Sequence, residues 1–507
     1  MAPPGPGRPT PPLSLHLPAE MVRSRLGREV AVADAFVVRL EATCSEVLTD
    51  PESRVEAGRD WWPLSVAWGA SGEVPALPAA VARPATAAEV AAVLDLCSRF
   101  AVPVTPCAGR SGVCGGSVPV FGGISLDLTG LAGVIGIDDR SLGVDVRAGT
   151  FGDLLEAELG AHGLTLGHWP QSVALSTVGG WLACRSAGQY STRYGKIEDL
   201  AVSLEVALAD GRVIRTSGRH PRAAHGPDLT QLFVGSEGTL GVITEATLRV
   251  RPRPGCEEGS AWGFDSFAVG LDACRRILRR GATPAVLRLY DPAETRRNFS
   301  LAGTASLSPA GTALLVVVDE GDPALVAAVS SIVAEECQEG KSLDPGLVDH
   351  WRAQRNQLPP LEQVVREGLI ADTIEVAGTW GALPAIHADA LGALEALDAT
   401  VVASAHQSHS YLDGGCLYFT FAGSPPAGGA DLYYRSAWDA VMAATTSHGG
   451  ALSHHHGIGI NRARHLAGAL GPAFDVLDRV KTALDPRRVL NPGKLGLASP
   501  FGPPPWP

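Results

Sequence analysis

Near its C-terminus the chain reads SHHHGIG, Ser453 to Gly459, three consecutive histidines set beside a glycine pair about fifty residues before the end. That is too deep for a purification tag and too short for a metal-storage tract. Imidazole titrates near neutrality, so histidines here suit the taking and giving of a proton. The plain alternative is a polar surface loop. A metal is not expected, because no carboxylate or cysteine cluster with ligand spacing accompanies the run. Neighbouring side chains in an extended or loop segment point to different sides. One or two of His454, His455 and His456 should therefore line a site while the other packs or is solvated.

A second kind of chemistry belongs to the backbone. AGRSGVCGG, Ala108 to Gly116, has four glycines in nine residues, so its N–H groups can turn inward and form an anion nest. A pyrophosphate suits it, and Arg110 could add a charge-assisted contact. Neither the GK[ST] ending of a P-loop nor GxGxxG occurs there, which argues against an NTPase or an ordinary Rossmann site. STVGGWLACRSAGQYSTRYG follows, with hydroxyls at Ser176, Thr177 and Ser186 and glycines at 179, 180, 188 and 195. GSEGTLGVIT, Gly235 to Thr244, is the third such stretch. Each glycine raises the entropy lost on folding, so three of these stretches read better as the bed of one large cofactor than as turns alone.

The elements that must position these residues are legible around them. Thr86 with Glu89 three residues on, followed by apolar positions at helical spacing, predicts a helix over 87–100. VPVTP is a short strand delivering the chain into the first glycine loop. GISLDL, LGVDVRAG, LAVSLEVALADGRVI and GVITEATLRV read as strands, with Asp210-Gly211 as a hairpin turn. This mixture predicts an α+β domain with antiparallel hairpins. After RPRPGCEEG the helices FAVGLDACRRILRR and GDPALVAAVSSIVAEEC accompany the strands TALLVVVDE, LIADTIEVA and CLYFTFAG, and LGALEALDATVVASAHQSHSY adds a helix and a strand on an antiparallel sheet. The expected divisions are 1–77, a lead-in with helical periodicity from Glu20 to about Asp50; 78–255, the glycine-loop domain; 256–447, a second domain; and 448–507, a return segment. The Pro-rich start and the tail FGPPPWP are expected to be loose.

With 507 residues, more than one core is expected. The net charge of -12 argues against a nucleic-acid partner. No apolar run approaches the roughly 18 to 20 residues of a membrane span. Nine scattered cysteines without a CxxC pair point to reduced thiols and a cytoplasmic location.

The quoted loops, together with GHWPQSVALSTVGG, YGKIEDL and PDLTQLFVGSEGTLGVITEATLRVRP, closely resemble the FAD-binding domain of the vanillyl-alcohol-oxidase and p-cresol-methylhydroxylase (PCMH) superfamily, and within it the alkyldihydroxyacetonephosphate synthases and their bacterial relatives. The resemblance implies a two-subdomain PCMH-type FAD-binding domain plus a cap domain with an antiparallel sheet. It implies that Ala108, Gly109, Arg110, Ser111, Gly112 and Val113 cradle the FAD pyrophosphate. Pro170, Ser172, Ser176, Thr177, Gly179, Gly180, Ser186, Gly188 and Tyr194 would pass around the flavin and ribityl chain, and Glu237, Gly238, Val242 and Ile243 would close the adenine side. The usual GGGTS is AGRSG here. The place of a flavin-linked histidine is taken by Gly112, Val113 and Cys114, so FAD is expected to be noncovalent.

By the same resemblance, HHHG is the synthase signature, making His455 and His456 the active-site pair and His454 a supporting neighbour, with Tyr418 as catalytic tyrosine and Arg288 as cap-domain arginine. The implied activity exchanges an acyl for an alkyl group on a dihydroxyacetone (phosphate) ester through a flavin N5 adduct, on a small, lipid-like substrate, in a protein often dimeric. A second arginine of that family falls near Leu361 and Glu362 here, with Arg366 as a substitute, which puts the phosphate in doubt. LNPGK, Leu490 to Lys494, resembles the 2-hydroxy acid and alcohol oxidoreductases, the alternative reading. A flavin-binding protein without turnover is the third.

Overall fold

Thr86 starts the helix Ala87–Phe100: its hydroxyl accepts the Glu89 amide at 3.1 Å, and the helix buries Val90, Val93, Leu94 and Cys97. The computed structural model describes residues 7–15, 17–220, 223–299, 311–357, 361–504 and 506. The helix connects strands Ala80–Arg83 and Val104–Cys107, which lie parallel on either side of Ile124–Asp127, with Glu46–Leu48 antiparallel at the edge. A second, five-stranded antiparallel sheet runs in the order Val213–Arg215, Ala201–Ala207, Val242–Arg249, Gly143–Arg147, Val134–Asp138. Its hairpin turns at Asp210-Gly211, where Gly211 takes φ +82°, as that dipeptide predicts.

The second half of the chain forms a seven-stranded antiparallel sheet: Lys341–Ser342, Cys256–Phe264, Ala313–Gly321, Val286–Tyr290, Thr400–Ser410, Gly414–Gly423, Ile370–Thr379. The interior strand Ala313–Gly321 is buried along almost its whole length, as an apolar run covered on both faces must be. Helices Phe267–Arg279, Pro323–Glu336 and Leu383–Glu395 pack on the sheet, and the short helix Ser191–Tyr194 of the first half rests on Val286–Tyr290 and Thr400–Ser410. The architecture is α+β, a two-part first half with an antiparallel cap. The end of the chain then returns to the first sheet: Val104 N–H donates to Val489 O at 2.9 Å and Asn491 N–H to Val104 O at 2.8 Å.

Three expectations are corrected. Between Glu20 and Asp50 only Asp34–Glu41 forms an α-helix, since the rest pairs or turns instead. The start, from residue 7, is packed: Leu13 is buried, and Trp61 Nε1 and Arg59 donate to Thr10 O and Leu13 O. The tail is held by its tryptophan. Trp506 lies 5.5 Å from Trp62 and 5.8 Å from Trp68, both edge-on, and aromatic burial outweighs the looseness of the prolines. Trp506→Ala should therefore destabilise the protein by about 3 kcal/mol, read as a lower urea midpoint at unchanged slope.

Candidate active site

Four adjacent strands of the seven-stranded sheet set Tyr290, His406, Tyr418 and Glu375 opposite one another in one row, so their side chains share a face. Arg288, two residues before Tyr290, joins them. His409 lies three residues beyond His406 and would point away on a regular strand. A register shift between Gln407 and His409 pairs it with Cys416, two residues from Tyr418, and brings it back to the same face. His406 Nε2 accepts from Arg288 Nη2 at 2.5 Å and its Nδ1 meets Glu294 Oε1 at 3.1 Å. Arginine only donates, so the His406 proton sits on Nδ1. The ring stacks on Tyr418 at 4.9 Å.

The loop Ser453–Gly459 crosses this face, led in by Ala451, whose amide donates to Ala377 O at 2.8 Å. Glu375, fully buried, accepts from Ser453 Oγ and the His456 amide, both at 2.8 Å, and from the His454 amide. It also meets Arg462 Nη2, equally buried, at 3.0 Å. Farther on, Glu237 accepts the Ile458 amide at 2.5 Å and the Gly459 amide at 2.8 Å. Gly459 is required there, since at φ +54° a Cβ would stand 2.1 Å from Cys114 O.

Because Glu375 draws the amides of residues 454 and 456 to one carboxylate, the segment is curled. Its three imidazoles stay together: His454 Nδ1 and His455 Nδ1 are 2.9 Å apart, and the His455 and His456 rings 4.4 Å. His454 is the most buried of the three, its ring stacked on His409 and Tyr411. Tyr418 lies 5.5 Å from His456, and His409 5.0 Å from His454 and His455. Ser191 Oγ bonds His409 Nδ1 at 2.9 Å, and Lys196 Nζ donates to His454 O at 2.6 Å. Ligand atoms of His409, His454 and His455 lie within 4.8 Å of one another, a set that could take a metal ion. Glu375 and Cys416 likewise bring ligand atoms within 4.8 Å of one another and of His455, so the expectation that no carboxylate or cysteine accompanies the histidines is corrected, both coming from distant strands.

Burial drives His456 down to about 4, against the Glu375 carboxylate and with help from Arg462. His409, His454 and His455 are held well below the ordinary imidazole value by burial and by one another. Burial pushes the Tyr418 phenol well up. The cluster is therefore neutral near pH 7. Thr373 Oγ1 donates to the Tyr418 oxygen at 3.0 Å, leaving the phenolic proton free to be donated into the site.

The glycine stretches expected to hold a cofactor lie in the first half. Ala108, Gly109, Arg110, Ser111, Gly112 and Val113 follow the strand Val104–Cys107. Backbone N–H groups rarely go unpaired, yet among the described residues no protein acceptor meets those from Gly109 to Gly116. These donors fit a diphosphate. The Arg110 guanidinium leans 3.8 Å from Asp127. At Gly109 a Cβ would stand 2.2 Å from Leu175 O, so this loop packs directly on the turn carrying Pro170, Ser172 and Ser176. Ser176 Oγ donates to Ser172 O and accepts from Trp181. Thr177 caps the helix Val178–Cys184, which carries Gly179 and Gly180. Ser186 bonds His168, next to Gly188, and the Tyr194 hydroxyl donates to Glu320 at 2.6 Å. Gly238 follows Glu237, whose carboxylate serves the histidine loop, and Val242 and Ile243 begin the strand beyond it, each buried in a different hydrophobic core. Asn491 Nδ2 ties the loops together, donating to Gly116 O at 3.0 Å and Glu237 O at 2.7 Å. Arg366 is paired with Glu362 on the half-exposed helix Leu361–Arg366 and does not join the cluster. His406, His409, Glu294, Glu375, Arg462, Ser191 and Lys196 were not singled out in the sequence; only the unusual SAHQSHSY hinted at the first two.

Residues 78–217 match the FAD binding domain family and residues 257–495 the FAD linked oxidases, C-terminal domain family. The FAD-linked oxidoreductase YgcU of Escherichia coli (strain K12), uncharacterized in its own description, is 30% identical over 442 residues, 83% of this chain and 89% of that one. The chain belongs to the FAD-linked oxidase family. Its cofactor is accordingly FAD. Within the family, alkyldihydroxyacetonephosphate synthase of Dictyostelium discoideum is 29% identical, covering 84% of this chain and 74% of its own. Glycolate oxidase subunit GlcD of Bacillus subtilis is 26% identical, covering 85% and 92%. A solved structure of alkyldihydroxyacetonephosphate synthase superposes with a TM-score of 0.78 at 25% identity over 96% of this chain and 89% of that one. p-Cresol methylhydroxylase, at 18% identity and a TM-score of 0.73 over 92% and 96%, shares the fold.

For this member of the family, removing either partner of the Glu375–Arg462 pair strands a buried charge. Glu375→Ala and Arg462→Ala should each cost about 3 to 5 kcal/mol, and the double variant clearly less than their sum, measured by urea unfolding in a double-mutant cycle.

Proposed function

We propose that the protein exchanges an acyl for an alkyl group on a dihydroxyacetone ester, with noncovalent FAD. The observation that carries this reading is the cluster of neutral imidazoles, His454, His455 and His456, gathered with the Tyr418 phenol over the cap face. Similarity to alkyldihydroxyacetonephosphate synthase along most of the chain supports it. Bound FAD supplies the reactive ring nitrogen that such an exchange needs. The chain's own residues handle protons and position the ester. His456, neutral and facing Glu375 at 3.7 Å, takes a proton from the substrate, and the carboxylate steadies the imidazolium that results. Tyr418 donates its free phenolic proton toward the departing carboxylate. The incoming alcohol then surrenders its proton through the neighbouring imidazoles to the Tyr418 oxygen, His456 returns its proton to the substrate carbon, and no net oxidation occurs.

Arg288 sets the polar end of the substrate. Its Nε is buried without a hydrogen-bond partner among the described residues, so it can meet one anionic or carbonyl oxygen. Lys196 is already bonded to His454 O and to Glu198 at 3.0 Å, and Arg366 stands apart. A substrate with one anionic group at most fits this set better than one needing two arginines.

Oxidation of a 2-hydroxy acid is the second reading, favoured by the similarity to GlcD. A neutral His456 can equally accept a hydroxyl proton. The test incubates the FAD-loaded protein anaerobically with an acyl dihydroxyacetone, with and without its phosphate, and a labelled long-chain alcohol. The proposal expects a labelled ether product and an oxidised flavin at the end, and Tyr418→Phe and His456→Ala should each slow formation by about 100-fold or more while FAD stays bound. Lasting bleaching by glycolate or D-lactate without ether product would support the second reading instead. Absence of both reactions would leave a flavin-binding protein. Because His456 titrates near 4, the acid limb of the rate profile should lie below pH 5 and not near 6.5.

A further inference from the structure

Asp60, in the stretch RDWWP before the first domain, is 1% exposed and has no part in the chemistry above. Its Oδ1 accepts the Trp62 amide at 3.1 Å. Its Oδ2 has no hydrogen-bond partner among the described residues, although the Ser117 amide is near enough to favour the ionised carboxyl, and it lies 3.8 Å from the position a Cβ would take on Gly112, beside the run of amides from Gly109 to Gly116. An ionised carboxylate there would stand against a bound diphosphate with like charge. Two remedies exist, a cation or a proton. The cation facing Asp60 is Lys494, fully buried, which donates to Val118 O at 2.7 Å. Also near are the Cys184 thiol, pushed well up by burial, and Glu237, held by the amides of the histidine loop. Lys494 acts on Asp60 through its charge, but no hydrogen bond of the described residues reaches Oδ2.

We propose that Asp60 is protonated in the FAD-loaded enzyme and donates that proton to the cofactor diphosphate, closing the cradle from the N-terminal side. Burial already pushes the Asp60 carboxyl up to about 7. Below that value the proton is in place before FAD arrives. Above it, binding must take up a proton, so affinity falls as pH rises, by at most about tenfold per pH unit. Lys494, pulled down to about 7 by burial, titrates in the same window, and the experiment must separate the two.

The test measures the dissociation constant of FAD for the full-length protein by flavin fluorescence from pH 6 to 9, in the wild type, Asp60→Asn and Asp60→Leu, with the 31P resonances of bound FAD as a second readout. Wild-type affinity should weaken by about tenfold or more across this range, and its 31P signals should shift with pH. Asp60→Asn, which still donates, should match the wild type at pH 6 and be flat. Asp60→Leu should bind more weakly at every pH. An Asp60→Asn profile as steep as the wild type would assign the titration to Lys494 and overturn the proposal. A flat wild-type profile with fixed 31P signals would also overturn it, whether or not the leucine variant folds.

Discussion

Two buried carboxylates, one from each half of the chain, hold the histidine loop between them. Glu375 on the cap sheet gathers the amides of residues 454 and 456, and Glu237 of the third glycine stretch gathers those of 458 and 459. A buried carboxylate needs its lone pairs occupied, and backbone amides of a glycine-punctuated loop are the donors that can approach closely enough. The loop therefore cannot shift without stranding charge on both sides, Arg462 included. This suspension places three imidazoles over a face built by four strands, with the glycine stretches that we propose hold FAD on the other side of the junction.

The same burial sets the chemistry. Taken out of water, imidazoles lose protons and a phenol keeps its own, so the cluster offers acceptors at His454, His455 and His456 and a donor at Tyr418 without any charge of its own. Charge is confined to the flanks, at Arg288 with His406 and Glu294, and at Arg462 with Glu375. In the exchange we propose, such a site would move protons and accept an uncharged substrate. The first glycine loop works differently: its amides are left open, whereas the hydroxyls of Ser176 and Ser186 are satisfied within the protein.

Local signals were legible in the sequence wherever a short-range rule sufficed. Thr86 with Glu89 marked a helix, Asp210-Gly211 a hairpin, and the apolar runs of the cap its strands, while the glycine stretches and the histidine run pointed to the cofactor and the proton-handling site through their resemblance to a known family. What stayed hidden depends on contacts between distant residues. His409 was masked because its spacing of three from His406 breaks strand alternation, and only the register shift restores it. Glu375 sits in an ordinary strand sequence, and its role exists only once the loop arrives some eighty residues later in the chain. The convergence of three adjacent imidazoles follows from that same carboxylate. Trp506 looked loose among prolines because its partners, Trp62 and Trp68, lie at the opposite end of the chain.

The most direct test of the central claim is a crystal structure of the FAD-loaded protein. The account predicts the diphosphate on the Gly109–Gly116 amides and the flavin ring in contact with His456 and Tyr418, with Glu375 and Glu237 still bonded to the loop. A flavin ring lying away from these two side chains, or a histidine loop detached from either carboxylate, would contradict it.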